Sequence, residues 1–269
     1  MKIQFRKTIF IGIALAVLAS SCDTKNKTLN IFSVQDDINF GQQFDEQIRA
    51  SGEYQLLSET EYAEAYSILY QYRDRLLATG EVKYADKFVW KVSIIKDDAT
   101  VNAFCVPGGY LYVYTGLIKS LESEAEFLGV MAHEMGHAAS RHSTKQLTKA
   151  YGLELMVSML LGKNPNQWMQ IASGLAVGLT ELKFSRDDEL QADKCAVIYT
   201  YNTNHWDARG VSYFFERMDS HTSTPVFLST HPSDKERVKK VNEEWTKLGG
   251  NPGQKFQDEY NNFKSKLRL

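Results

Sequence analysis

Apolar residues recur at helical spacing in two segments of the first third of the chain. The segments are residues 41–50 and residues 59–77, and the second ends close to Gly80. Apolar side chains three and four positions apart form one face of a helix, which packs against a core. Two amphipathic helices are therefore predicted here, as scaffold elements.

The next segments carry the signals of β-strands. Residues 87–95 alternate apolar with polar positions, and residues 109–117 are rich in Tyr, Val and Leu. Turn-forming residues lie between them, including the run Pro107-Gly108-Gly109. Strand patterns separated by turn chemistry predict a small antiparallel sheet.

A longer apolar segment without proline, residues 122–142, follows the strands. It carries large apolar side chains such as Phe127 and Met131, and its residues 136–139 are small apart from one histidine. This composition predicts a buried helix. Together with the strands it indicates an α+β fold, mainly helical, with the small antiparallel sheet beside this helix.

Two strongly apolar segments, residues 153–161 and residues 168–182, come next. Each is shorter than a helix that spans a bilayer, so core helices are favoured over membrane insertion. A hairpin that dips into a membrane surface stays open as an alternative. Beyond them, helical patterns cover residues 185–200 and residues 234–248, with a polar loop between them and a charged tail after them.

The first residues have the features of an export signal. Lys2, Arg6 and Lys7 precede an apolar run, residues 9–18, which is too short to span a bilayer comfortably. The chain is therefore expected to work outside the cytoplasm.

The end of this signal, Leu18-Ala19-Ser20-Ser21-Cys22, resembles a bacterial lipobox, in which the cysteine carries the lipid anchor. The alternative is an ordinary cleaved signal peptide with an incidental cysteine. The lipobox interpretation predicts a periplasm-facing lipoprotein of the cell envelope, anchored to a membrane through Cys22. The predicted boundaries are a signal peptide at 1–21, a flexible polar tether at 22–38 and a folded domain at 39–269.

Composition limits the remaining classes of protein. With 269 residues, 43% of them hydrophobic, the chain can bury one substantial core. Its 31 basic and 33 acidic residues form no long run of one sign, which argues against a nucleic-acid partner. Cys105 and Cys195 belong to no Cys-x-x-Cys element, so a cysteine-based zinc site is disfavoured.

The main chemical signal is an H-E-x-x-H element, from His133 to His137, inside the predicted buried helix. Residues four apart on a helix lie about 40° apart, so both imidazoles can reach one cation. Glu134 projects from a neighbouring face, where a carboxylate can act as general base without being a ligand. Neutral imidazoles suit zinc, and a catalytic zinc site needs one further protein ligand.

The third ligand is not supplied by the same segment. The extended metzincin pattern requires glycine and histidine where this chain has Ser140 and Ser143. His142 follows His137 by five positions, about 140° around a continuous helix, so it is expected to point away from the metal. A structural or solvent-facing role is predicted for His142.

A later predicted helix offers two carboxylates on one face, Glu189 and Asp193. Glu189 can bind zinc, while Asp193 can orient a ligand histidine through its second ring nitrogen. The alternative is that both belong to a solvated acidic face with their neighbours Asp187 and Asp188.

The chain resembles metallopeptidase family forty-eight, the Oma-type and HtpX-type gluzincins, and in particular the periplasmic lipoprotein branch typified by BepA and LoiP. The motifs that carry the resemblance spread over about half of the chain, which makes them far more specific than H-E-x-x-H alone. They are Asn102-Ala103-Phe104, Pro107-Gly108-Gly109, the run from His133 to His137, Ser185-Arg186, Glu189, Ala192-Asp193, His231-Pro232 and Arg237.

The resemblance implies that residues 39–269 form a zinc metallopeptidase domain with a zincin-like fold. It also implies one Zn²⁺ per chain, Glu189 as the third ligand and Asp193 as its companion. It also implies a role near the metal for His231, as a zinc contact or as a stabiliser of the oxyanion; the alternative is an ordinary loop residue before a proline. Substrate-binding residues are predicted at the strand Asn102, Ala103, Phe104 and Cys105, and at Arg237. Cys105 departs from the small apolar residue usual after the Asn-Ala-Phe element.

The function predicted from these residues is hydrolysis of peptide bonds in unfolded or misassembled cell-envelope proteins. Glu134 acts as general base, His231 assists at the oxyanion, and polypeptide binds in extended form along the strand. The main alternative is a periplasmic chaperone or assembly factor with weak or latent proteolysis. A purely structural zinc site is less favoured, because such sites are normally closed by four protein ligands.

Overall fold

The computed structural model of the chain describes residues 30–151, 183–218, 225–232, 234–251 and 253–269. The predicted signal peptide, the first part of the predicted tether and the apolar segments 153–161 and 168–182 lie outside the described residues. Within those ranges, no helix combines the length and the apolarity that crossing a bilayer requires.

The described elements are mainly helices, with one small sheet between the second and third of them. In chain order they are α1 (Val34–Ser51), α2 (Ala63–Leu77), β1 (Lys91–Ile95), β2 (Ala103–Val106), β3 (Tyr110–Tyr114), α3 (Thr115–Ser120), α4 (Glu124–Ala139), α5 (His142–Tyr151), α6 (Arg186–Tyr201), α7 (Gly210–Met218), α8 (Val226–Thr230), α9 (Lys235–Lys247) and α10 (Gln257–Lys266). The predicted α+β class, mainly helical and zincin-like, is confirmed.

The first helix begins earlier than the sequence pattern predicts. Ser33 and Asp36 form a capping box at the start of α1, each side chain bonding to the other residue's backbone N–H. Phe32, just before the cap, is buried. The predicted tether at 22–38 therefore overlaps α1, and the folded part of the chain begins before residue 39.

The sheet is mixed, so the prediction of an antiparallel sheet is correct for only one of its two strand pairs. The strand order is β1-β3-β2. β2 and β3 are joined by the Pro107-Gly108-Gly109 turn and pair antiparallel, whereas β1 pairs parallel with the other side of β3. The chain passes from β1 to the far edge at β2 before it returns to the centre, which makes the β1–β3 pair parallel.

The helix α4 is the centre of the fold, and every one of its residues is buried. It packs most extensively on α6 and α7, and it contacts β2 on another side. Gly136 permits the close approach of α6, because a Cβ at this position would stand 2.8 Å from the Cβ of Cys195. The side chains that α4 presents to α6 are therefore shielded from solvent.

Between α4 and α5 the chain makes an elbow at Arg141. Arg141 has φ 58°, in the left-handed region, so α4 ends at Ala139 rather than continuing to His142 as the pattern predicts. The Arg141 guanidinium forms an ion pair with Asp37 and donates hydrogen bonds to the carbonyls of Phe32 and Ser33. The start of α1 is thereby fastened to the elbow.

The C-terminal part of the chain contains more helix than the sequence pattern predicts. α7 occupies the predicted polar loop and buries Phe214 and Phe215. The predicted charged tail contains α10, whose Tyr260 and Phe263 are fully buried against the core. Apolar residues spaced at one helical turn were hidden there among many charged ones.

Candidate metal centre

The two histidines of the H-E-x-x-H element lie one turn apart on α4 and face the same point. Their Nε2 atoms are 3.0 Å apart, and both side chains are completely buried. This convergence is what the four-residue spacing predicts.

Two further donors reach the same point from other elements. Glu189 comes from the first turn of α6, and His231 is the residue that ends α8. Glu189 Oε1 lies 3.5 Å from His137 Nε2 and 3.0 Å from His231 Nδ1, and Glu189 Oε2 lies 3.5 Å from His133 Nε2. One donor atom from each of the four residues lies within 4.8 Å of all the others, and all four residues are buried.

These distances fit a divalent metal ion. Zinc–nitrogen bonds near 2.0–2.1 Å in a tetrahedron place neighbouring donors about 3.3 Å apart. The separations in the cluster, 3.0 to 3.5 Å, bracket that value. Among the residues that the structure describes, the buried carboxylates of Glu134, Glu189 and Asp193 outnumber the buried guanidinium of Arg237 beside them. Buried charge of this kind is normally compensated by a partner or a metal.

Asp193 lies one turn after Glu189 on α6 and contacts the other ring nitrogen of a cluster histidine. Its Oδ1 is 2.9 Å from His133 Nδ1. A carboxylate there holds the proton on Nδ1 and leaves the lone pair of Nε2 directed into the cluster.

Arg237 does not line a substrate surface, contrary to the sequence-based prediction. Its side chain is 1% exposed and donates to both oxygens of Asp193, at 2.6 and 2.7 Å. The same guanidinium lies 2.9 Å from Glu189 Oε2 and donates to the carbonyl of Pro232. Helix α9 carries many exposed charges, and the pattern did not reveal that this one points inward.

His142 also differs from its prediction, because it approaches the cluster instead of pointing away. Its Nδ1 lies 2.9 Å from His137 Nδ1, and its Nε2 lies 3.0 Å from Gln191 Oε1. The expected rotation of about 140° assumed a continuous helix. The elbow at Arg141 breaks that helix and turns His142 back toward α4.

Glu134 points into the cluster from α4 without joining the donor set. Its carboxylate accepts a hydrogen bond from the backbone N–H of Cys105, and its Oε1 lies 3.4 Å from His231 Nε2. Oε1 is buried and has no hydrogen-bond partner among the described residues. Burial raises the pKa of Glu134 above its usual value, as suits a carboxylate that exchanges protons.

The ring protonation of the two α4 histidines differs. Burial alone would lower the pKa of His133, but hydrogen bonds to Asp193 and Glu189 raise it to about 9. Burial lowers the pKa of His137 well below its usual value, so this ring is neutral. Without a metal, His133 therefore carries an extra proton that a cation at the cluster would displace.

Two phenylalanines that sequence reasoning missed cover the imidazoles. The ring of Phe184 stacks on His137 at 4.1 Å between centroids, and the ring of Phe227 stacks on His231 at 4.6 Å. Phe184 directly precedes Ser185, the residue that caps α6. Nothing in the spacing of either phenylalanine marks it, since both contacts arise from tertiary packing.

The strand predicted to bind substrate, β2 with the preceding Asn102, forms one edge of the sheet. The residues Asn102, Ala103, Phe104 and Cys105 are all buried, at 2 to 6% exposure. Cys105 and Cys195 are both free thiols.

The buried histidine and glutamate cluster on a mainly helical α+β scaffold defines a zincin-like metallopeptidase fold. The sequence-family model of Peptidase family M48 matches residues 69–245. This range runs from α2 to α9 and makes up more than half of the chain. The chain belongs to this family, which confirms the resemblance.

Curated relatives of the matched region are peptidases of eukaryotes and bacteria. The chain is 32% identical over 164 residues to the mitochondrial metalloendopeptidase OMA1 of Arabidopsis thaliana, covering 60% of this chain and 33% of the relative. It is 31% identical over 160 residues to that of Schizosaccharomyces pombe, covering 58% and 46%. For the putative beta-barrel assembly-enhancing protease of Vibrio cholerae the identity is 28% over 154 residues, covering 52% and 32%. The matches thus span about a third to a half of these relatives.

Proposed function

We propose that the chain is a zinc-dependent endopeptidase that cleaves unfolded or misassembled polypeptides of the cell envelope. One observation carries the proposal: the donors of His133, His137 and Glu189 converge on a point beside the unpaired Oε1 of Glu134. Three donors and an adjacent general base are the minimum that metal-assisted hydrolysis needs.

In this proposal His133, His137 and Glu189 hold one zinc ion. A bound zinc ion lowers the pKa of water at the site toward ~7 and polarises a carbonyl group. Glu134 takes a proton from the attacking water and later delivers it to the leaving amine. A catalytic zinc site keeps one position open beside three protein ligands, so we assign His231, whose Nε2 lies 3.4 Å from Oε1 of Glu134, to stabilising the oxyanion.

The substrate class follows from the edge strand. β2 lies beside α4, and its residue Cys105 donates its backbone N–H to Glu134, so the strand and the base are in direct contact. An extended polypeptide that pairs with the edge of β2 makes backbone hydrogen bonds, which tolerate many side chains. Segments of an unfolded polypeptide are free to adopt this extended form.

The cellular location in this proposal rests on the start of the sequence. The basic residues, the apolar run and the lipobox-like Cys22 support an exported protein with a lipid anchor facing the periplasm. The similarity to a beta-barrel assembly-enhancing protease supports a role in quality control of envelope proteins.

The test is to measure zinc content and casein cleavage of the full-length chain, for wild type, Glu189→Ala and Asp187→Ala. Asp187 is an exposed carboxylate in the same helical turn, which makes Asp187→Ala the matched control. We expect one zinc per chain and chelator-sensitive cleavage in wild type and Asp187→Ala, and loss of both in Glu189→Ala.

The other outcomes separate the alternatives. Stoichiometric zinc without cleavage by the wild type would favour a chaperone or assembly factor over a peptidase. Unchanged zinc affinity in Glu189→Ala would mean that Glu189 is not the third ligand.

A further inference from the structure

The imidazole of His142, which is not part of the metal cluster, contacts the Nδ1 side of the cluster residue His137. His142 is the first residue of α5, and its side chain is completely buried. The rings of His137 and His142 meet edge to face, with centroids 4.9 Å apart, and their Nδ1 atoms are 2.9 Å apart. Two ring nitrogens at this distance share one hydrogen bond, so one donates and the other accepts.

The direction of this hydrogen bond follows from the cluster. His137 turns Nε2 toward His133 and Glu189, and a metal ligand must present a lone pair there. A His137 ring that presents this lone pair carries its proton on Nδ1 and donates it to Nδ1 of His142. A neutral His142 then carries its own proton on Nε2 and donates it to Oε1 of Gln191, at 3.0 Å.

The result is a line of hydrogen bonds from the metal cluster to α6. Gln191 lies on α6, between Glu189 and Asp193 in the sequence. Asp188 Oδ1, also on α6, lies 3.4 Å from His142 Nε2 and reinforces the acceptor side. Because each ring nitrogen has one role, rotation of either ring would break a hydrogen bond inside a buried region, at substantial cost.

The two α4 histidines are thus supported by different chemistry. His133 is held by a carboxylate, Asp193, which is itself fixed by Arg237. His137 is held by a neutral imidazole that reaches it through the elbow at Arg141. The second support depends on the left-handed conformation of that elbow, because a continuous helix would carry His142 away.

We infer that His142 is a positioning residue for the metal site, which fixes the tautomer and the orientation of His137 by accepting its Nδ1 proton. This inference rests on the proposed function and assigns a role to a residue outside the H-E-x-x-H element and its distant glutamate. Partners of this kind change the metal affinity of a site by about 10 to 100 fold.

The test compares two substitutions of similar size. His142→Asn keeps an acceptor oxygen near the position of Nδ1, whereas His142→Leu fills the space without an acceptor. Zinc dissociation constants are measured by competition with a chromogenic chelator, on the full-length protein. We expect zinc binding of His142→Leu to be about 10 to 100 fold weaker, and that of His142→Asn to stay close to wild type.

A second pair of variants keeps the test decisive where His142→Leu does not fold. Gln191→Leu removes the acceptor for His142 Nε2, and Gln191→Glu keeps one. The expected order of zinc affinity is wild type and Gln191→Glu above Gln191→Leu. Thermal unfolding of the metal-free proteins shows whether each variant is folded before its affinity is compared.

Each outcome has one meaning. Equal affinities of wild type, His142→Leu and Gln191→Leu would overturn the positioning role and leave the proposed function intact. A folded His142→Asn as weak as His142→Leu would show that the acceptor is not what matters, and would overturn the inference too. A wild-type protein that binds no zinc would overturn the proposed function and this inference together.

Discussion

Arg237 donates two parallel hydrogen bonds to Asp193, from Nε to Oδ2 at 2.7 Å and from Nη2 to Oδ1 at 2.6 Å. The pair is buried, and Oδ1 of Asp193 also lies 2.9 Å from Nδ1 of His133. A fork-to-fork pair fixes the plane of the carboxylate as well as its position. The guanidinium of Arg237 therefore sets the orientation of the His133 ring through Asp193.

We predict that Arg237→Leu destabilises the fold, because it removes the buried guanidinium that pairs with the carboxylates of both Asp193 and Glu189. Breaking a buried ion pair on one side costs about 3 to 5 kcal/mol. Urea unfolding of the metal-free protein measures this loss. The control is Lys239→Leu on the same helix, whose side chain is 72% exposed and which should change little.

Arg237→Lys separates charge from geometry. Lysine restores a positive charge but cannot form the bidentate pair with Asp193. We expect Arg237→Lys to recover part of the stability lost in Arg237→Leu while zinc binding stays weaker than in wild type. Zinc affinity equal to wild type would mean that the charge alone suffices.

Glu134→Gln should retain zinc and lose hydrolysis, because the proposed ligands remain while the base is replaced by an amide. General-base catalysis contributes about 10² to 10⁴ fold to a rate. Zinc content and cleavage of a fluorogenic peptide at saturating metal measure the two properties separately. Peptide cleavage at the wild-type rate would contradict the proposed role of Glu134.

Gly136→Ala tests the close approach of α4 and α6. The new methyl group would stand 2.8 Å from the Cβ of Cys195 and 3.1 Å from the carbonyl oxygen of Ala192. Alanine is the better helix former by about 1 kcal/mol, so helix propensity alone predicts a more stable protein. We expect the opposite, a loss of about 1 to 3 kcal/mol together with weaker zinc binding. Denaturant unfolding and chelator competition provide the two measurements.

The pH dependence of stability should include a contribution from Asp45 of α1. Burial would raise its pKa, but hydrogen bonds from Arg49 and from the hydroxyl of Tyr112 outweigh burial and hold the pKa below its usual value. A depressed folded-state pKa stabilises the fold above the unfolded-state pKa, near 4 for Asp. This stability disappears as the pH falls through the folded-state value.

Asp45→Asn is the corresponding test. It should lower the free energy of unfolding at pH 7 by about 1 to 3 kcal/mol, and the difference from wild type should shrink below about pH 4. Unfolding curves at several pH values report this difference. A difference that stays constant down to pH 3 would show that the charge of Asp45 is not the cause.

How far the sequence predicts this molecule depends on whether a feature is local. The convergence of His133 and His137 and the shared face of Glu189 and Asp193 follow from a spacing of four on a helix. The helices α4, α6 and α9 were placed to within a few residues for the same reason. Each of these features needs only the period of one element.

The missed features depend on contacts between distant segments. At the elbow, the backbone of Arg141 has a left-handed conformation that no local sequence pattern indicates. This conformation decides the direction of His142. The inward direction of Arg237 and the parallel pairing of β1 with β3 are decided by the elements they pack against. Propensity and periodicity carry no information about such partners.

The donors of the metal cluster come from distant parts of the chain. The sequence separation is 98 from His133 to His231 and 42 from Glu189 to His231. An unfolded chain does not hold them together, so free energy released by the ion is also free energy of folding. A bound ion would then close two long loops of the chain. In the same way, a chain that has not yet brought α4, α6 and the end of α8 together has no assembled centre. Such a chain lacks the site that the proposed hydrolysis requires, so the activity would begin only when folding is complete.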